Sequence, residues 1–151
     1  MKVQRRRGEI LVALDEVERD LLTSLTTQYE DILHDDEGDD PVHERLFPSA
    51  YREDPEADAE FRRYTTEGLV DRKSANAGRI AAAVLASRDG RILLDADSAN
   101  AWLPALTDLR LVVAERLGIR ADDDLVPDDQ LGAVYWWLGE LQERLVGALN
   151  R

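Results

Sequence analysis

Two histidines, His34 and His43, flank a run of carboxylates, Asp35-Asp36-Glu37-Gly38-Asp39-Asp40. Imidazole and carboxylate groups gathered in this way are ligands that divalent cations accept. The order does not fit a calcium loop, which alternates Asp or Asn and closes on a Glu. A solvated acidic loop accounts for the same residues, so no metal site and no cofactor is expected. The chain also lacks Gly-x-Ser-x-Gly, His-Glu-x-x-His, a phosphate-binding loop and a dinucleotide Gly-x-Gly-x-x-Gly. It has no cysteine, which excludes disulfides, thiolate catalysis, thiol redox sensing and thiolate metal sites within it. No catalytic residue is expected.

The acidic run belongs to a wider field. From Glu30 to Glu60 there are 13 Asp or Glu against two Arg, a local net of −11 in a chain whose total is −13. Concentrated negative charge steers basic partners and repels nucleic acid. Asp35, Asp36, Glu37, Asp39 and Asp40 are therefore candidate contacts for a protein with a basic surface.

Cations form two groups, Arg5-Arg6-Arg7 near the start and Arg62, Arg63, Arg72, Lys73 and Arg79 further on. Phe61 to Asn76 can be drawn as a helix-turn-helix with Arg72, Lys73 and Asn76 as readers. Affinity for a duplex rests on neutralising its phosphates, and a body of −13 opposes that. Pairing with carboxylates such as Glu60, Glu67 and Asp71 is the expected use of these cations; direct DNA binding, or a metal-binding protein or enzyme built on the acidic loop, stands as the alternative.

Trp136 and Trp137 sit on the last apolar-periodic segment. At about 100° per residue, Trp137 lies beside Leu138 and Trp136 turns away from the main seam. Burial under other elements explains such residues in most proteins. An exposed Trp is also a favoured anchor for a protein partner, and a homodimer would satisfy both readings.

The elements that position these groups read as one helical domain over residues 1–151. Residues 1–13 suggest a hairpin turning at Arg7-Gly8, with Arg91–Leu94 as a third strand. Asp15 and Glu18 form a capping box for a helix whose apolar face reads Val17, Leu21, Leu25, Tyr29 and Ile32. Residues 34–55 form an acidic loop region with a short helix started by Asp40-Pro41, in which Val42, Leu46 and Phe47 pack inward. Core helices fill residues 56–151. Glu56–Tyr64 reads as one helix, and a longer one capped by Thr65 or Thr66 runs to about Ser87 with Leu69, Lys73, Ala77, Ile80 and Val84 on one side.

Asp95 or Asp97 caps the next helix, facing inward through Trp102, Leu106, Leu109, Val113 and Leu117. Pro104 inside it predicts a kink or a start nearer Asn100. The last helix begins near Pro127 and presents Leu131, Val134, Leu138, Leu141, Leu145 and Leu149. Both faces are near-heptad, so these two helices should pack antiparallel; Asp108 and Arg110 flank Leu109, and a cross-helix ion pair with Glu140 or Glu143, in reach on the facing helix, is expected. The fold expected is mainly α, a helical bundle with a two- or three-stranded β-ribbon. No apolar run approaches the roughly 20 residues that span a bilayer. The charged start carries no apolar signal core, so a cytoplasmic protein is expected.

Four stretches resemble the actinobacterial AosR-like family of oxidative-stress transcriptional regulators, earlier known as a domain of unknown function. They are Leu46-Phe-Pro-Ser-Ala-Tyr-Arg-Glu-Asp54, Ala59-Glu-Phe-Arg-Arg-Tyr-Thr-Thr-Glu67, Ala101-Trp-Leu-Pro-Ala-Leu-Thr-Asp-Leu-Arg-Leu111 and Tyr135-Trp-Trp-Leu-Gly-Glu-Leu-Gln-Glu-Arg-Leu-Val146. The resemblance implies a helical regulator of transcription acting through a sigma factor or RNA polymerase, and it implies no catalytic residues. A relative that senses oxidant through a cysteine pair cannot be followed here, because the chain has none. Pro104 is a second departure, at a place where a non-proline helix former is expected.

Overall fold

Arg7 and Gly8 turn the chain back with φ of 50° and 85°. Positive φ at both central positions gives the two-residue turn whose twist matches a hairpin. It joins β1 (Lys2–Arg6) to β2 (Glu9–Ala13), paired antiparallel from Arg6↔Glu9 to Lys2↔Ala13. The computed structural model describes residues 1–35, 37–48 and 55–151, apart from the side chains of residues 55, 58 and 61–65. The remaining elements are α1 (Glu16–Leu33), α2 (His43–Leu46), α3 (Pro55–Ala86), β3 (Arg91–Leu94), α4 (Ala96–Leu117) and α5 (Gln130–Leu149).

The expected third strand forms. β3 pairs antiparallel with β2, giving the order β1-β2-β3. Residues paired across an antiparallel ladder share a face. Val3, Val12 and Ile92 therefore point one way with Arg5, Ile10 and Leu94, and the apolar members of this set pack into the core. Gln4, Leu11 and Leu93 point the other way.

α1 starts on the expected capping box, with Asp15 Oδ1 accepting from Glu18 N at 2.8 Å and Glu18 Oε1 from Asp15 N at 3.0 Å. Its inward face is rotated from the one read in the sequence. Leu22, Thr26, Tyr29, Ile32 and Leu33 are buried, and Val17 is 75% exposed. The helix carries two adjacent apolar seams, and contact with α3 and α4 selects the second. Thr26 is tolerated there because its hydroxyl donates to Leu22 O one turn back.

The two helices expected between residues 56 and 87 are a single one, α3. Thr65 and Thr66 lie inside it rather than ahead of a new helix, and no turn interrupts the stretch drawn as a helix-turn-helix. The local cost of residues such as Gly68 is only about 1 kcal/mol each, which packing against α1 and α4 overrides. Ala77, Ile80 and Val84 are buried as read.

Asp95 caps α4 by accepting from Ser98 N at 2.7 Å, which holds its carboxyl below the usual range. The helix continues through Pro104 and ends on Gly118 at φ 76°. α2 starts at His43, one residue after Val42, and Asp40 Oδ1 instead turns the preceding loop by accepting from Val42 N. α5 starts at Gln130 behind the Asp129 cap, three residues later than expected. Leu138, Leu141 and Leu145 fill its seam against α4, so the α4–α5 pairing read from the two periodicities is present. No cation lies in its last turn. Arg5 supplies one from the sheet, its Nη1 donating to Ala148 O at 3.1 Å.

Candidate protein-interaction surface

With Leu138, Leu141 and Leu145 turned inward, the helical period places Trp136, Glu140, Glu143 and Val146 outward. Trp136 is 62% exposed and Val146 41%. With Arg110 and Gly139 they line an open groove of about 640 Å³ along α4 and α5. The Arg110 guanidinium lies over the Tyr135 ring at 4.3 Å, and its Nε is buried with no hydrogen-bond partner among the described residues.

The adjacent indole has another fate. Trp137 is half-buried against the core, and its Nε1 donates to Glu18 Oε2 at 2.6 Å. Glu18 also receives the chain's N-terminal ammonium at 3.3 Å. Trp137 thus ties α5 to the start of α1, while Trp136 meets the Tyr135 ring edge-on at 6.0 Å and leaves most of its surface open.

The cross-helix ion pair expected near Arg110 does not form. Glu140 pairs with Arg144 one turn on, at 2.6 Å. Asp108 points to the opposite side, where it accepts from the Tyr29 hydroxyl and from Lys73 Nζ at 2.6 Å. Burial first, then the Asp108 carboxylate, pushes the Tyr29 phenol far above its ordinary value. A signal for this network stood in the sequence. Lys73 lies on the apolar side of its helix, and a cation there requires a buried carboxylate partner.

The acidic loop is partly tied down. Asp40 forms a two-bond pair with Arg116 at 2.9 and 2.5 Å, which holds its carboxyl below the usual range. Asp35 Oδ1 accepts from Glu37 N at 3.2 Å. Glu37 and Asp39 are exposed, and Asp36 lies outside the described residues. His34 pairs with Glu30 at 3.2 Å, whereas the His43 ring packs on Phe47 with centroids 4.7 Å apart. The described residues contain no cluster of three or more His, Asp or Glu able to hold a metal.

Two of the candidate nucleic-acid cations are engaged, with partners far from those expected. Lys73 serves Asp108, and Arg79 pairs with Asp97 at 3.3 Å. Arg72 is exposed, and the side chains of Arg62 and Arg63 lie outside the description. Among the described residues no helix is long and apolar enough to cross a membrane.

Among the described residues, five helices, a small antiparallel sheet and an exposed aromatic groove define a mainly helical fold. The chain belongs to the family described as a domain of unknown function (DUF2017), which it matches over residues 1–149. It is 34% identical over 125 residues to the oxidative stress regulator AosR of Mycobacterium tuberculosis (strain ATCC 25618 / H37Rv). Identity to the protein of the same name from Mycobacterium bovis (strain ATCC BAA-935 / AF2122/97) is also 34% over 125 residues. Both alignments cover 71% of this chain and 57% of the relative, so the chain spans little more than half the length of these relatives. The resemblance read from the four stretches is thereby borne out. No solved structure matches the chain significantly.

Proposed function

We propose that the chain is a non-enzymatic regulator of the oxidative-stress response that acts by binding another protein. The observation that carries this is Trp136, a large aromatic held open on the rim of the α4–α5 groove by a helix whose other face is locked in the core. Rigid, exposed aromatics concentrate binding energy. The relatives' name supplies the regulatory context.

Glu37 and Asp39 stand free in the acidic loop, and Arg116 in the last turn of α4 anchors that loop through Asp40. A partner with a basic surface suits this arrangement, and a sigma factor or RNA polymerase is the class that the family resemblance implies. Direct DNA binding is the weaker reading, because Lys73 and Arg79 are already paired.

Trp136→Ala should weaken binding to sigma factor or to RNA polymerase holoenzyme by at least about tenfold, measured by biolayer interferometry. Replacing the carboxylates of residues 35–40 by amides should slow association at low salt and leave dissociation unchanged. Equal affinities for wild type and the Trp136 variant would remove the proposed anchor.

A further inference from the structure

The outward face of the sheet is the molecule's basic pole. Lys2, Arg6, Arg7 and Arg91 are exposed, and their side chains make no hydrogen bond or ion pair among the described residues. They surround Leu11, buried at 3% exposure on the face away from the core, and Leu93, 59% exposed. The open groove of about 680 Å³ here is lined by Arg6, Arg7, Arg91, Leu11 and Leu93 together with Glu9 and Asp89, and the nearby Gln4 Oε1 is buried without a partner among the described residues. The exposed Leu93 and the excess of arginines over carboxylates around it suit an acidic segment that carries one apolar residue.

Such a segment lies at the far end of the same molecule. The α4–α5 loop reads Asp122-Asp123-Asp124-Leu125-Val126-Pro127-Asp128-Asp129, and Leu125 is 94% exposed. The loop is shaped rather than slack at its start, since Asp124 accepts from the backbone N–H of Arg120 and Ala121 at 2.7 and 3.0 Å. β3 runs directly into the start of α4, and the end of α5 touches β1 through Arg5, so sheet and loop occupy opposite ends of the α4–α5 pair. At 1.5 Å per residue, α4 alone separates them by about 33 Å. One copy cannot bring its own loop to its own sheet.

We infer that the outward sheet face of one copy receives the Asp122–Asp129 loop of a second copy, with Leu125 seated against Leu93. In an antiparallel side-by-side pair the contact is made twice, once at each end, which closes the assembly as a two-fold dimer. Each acidic pole then meets a basic pole, and this local complementarity opposes the mutual repulsion of two chains of net −13. The inference is independent of the Trp136 groove, which such a pairing does not use.

A charge swap tests it. One variant carries R6E, R7E and R91E; the other carries D122R, D123R and D128R, sparing Asp124 for its backbone bonds. Circular dichroism establishes that each is folded. Sedimentation velocity up to about 100 μM should show a dimer for wild type, at least about tenfold weaker association for either variant alone, and a restored dimer in their equimolar mixture. L125S should weaken association without altering charge. A wild type monomeric throughout overturns the inference, as does a dimer that survives both swaps. A monomer whose sheet binds a labelled polyglutamate peptide or duplex DNA, with loss in R6E/R7E/R91E, also overturns it by giving the face to a foreign acidic protein or to nucleic acid.

Discussion

The Tyr29 hydroxyl donates to Asp108 in the core between α1 and α4, and Lys73 of α3 closes on the same carboxylate oxygen. Three helices thus meet at one carboxylate, with Tyr29 fully buried and Asp108 8% exposed. Removing the carboxylate with Asp108→Ala strands both a hydroxyl and an ammonium and should cost about 3–5 kcal/mol, whereas Tyr29→Phe removes one donor and should cost about 1 kcal/mol. Urea denaturation of the two variants measures both. The phenol's raised pKa fixes the pH dependence. The unfolded chain releases the Tyr29 proton near the ordinary value of 10.0 and the folded chain does so only higher. Stability is therefore fully present below pH 10 and declines above it. Tyr29→Phe should flatten that alkaline decline; an unchanged slope would disprove the assignment.

Trp136 and Trp137 are consecutive and should respond in opposite ways. Trp137→Phe loses the bond to Glu18 and should lower stability by about 1–2 kcal/mol, a shift of a few degrees in Tm. Trp136→Ala exposes no core and should stay within about 0.5 kcal/mol of wild type. Calorimetry of the pair decides, and a large loss for Trp136→Ala would mean that the ring is packed after all.

Asp40 and Arg116 connect the acidic loop to the end of α4. The Arg116 bonds lower the Asp40 pKa, so their stabilisation is present above the ordinary value of 3.8 and is lost as pH falls through the lower folded value. Arg116 is 41% exposed and solvent screens the pair, which limits Asp40→Asn to about 1 kcal/mol or less at neutral pH. Hydrogen exchange should show faster opening of residues 40–46 in that variant at pH 7, with the difference from wild type shrinking as pH falls below the ordinary carboxylate value of 3.8. A difference persisting in acid would point to another contact.

Local chemistry by itself determined much of this protein. The Arg7-Gly8 turn, the Asp15–Glu18 capping box and Leu138, Leu141 and Leu145 of α5 act within a few residues and appear as read, Asp95 is the one of the two candidate caps that heads α4, and Leu131, read on the same α5 face, is exposed. The outward direction of Trp136 also followed from helical period, because Leu138, Leu141 and Leu145 fix the opposite face. Tertiary packing decided the rest. It chose between the two seams of α1, carried α3 across the residues expected to break it, and sent Asp108 inward to Tyr29 and Lys73 while Arg110 shares a groove with Glu140 and Glu143 without pairing to them. A side chain's partner depends on which elements surround it, and those elements lie 35 to 79 residues away for Lys73 and Tyr29. The separation of a basic sheet from an acidic loop has the same origin. The sequence places both charge groups on the chain, but only the length and return of the α4–α5 pair hold them at opposite ends.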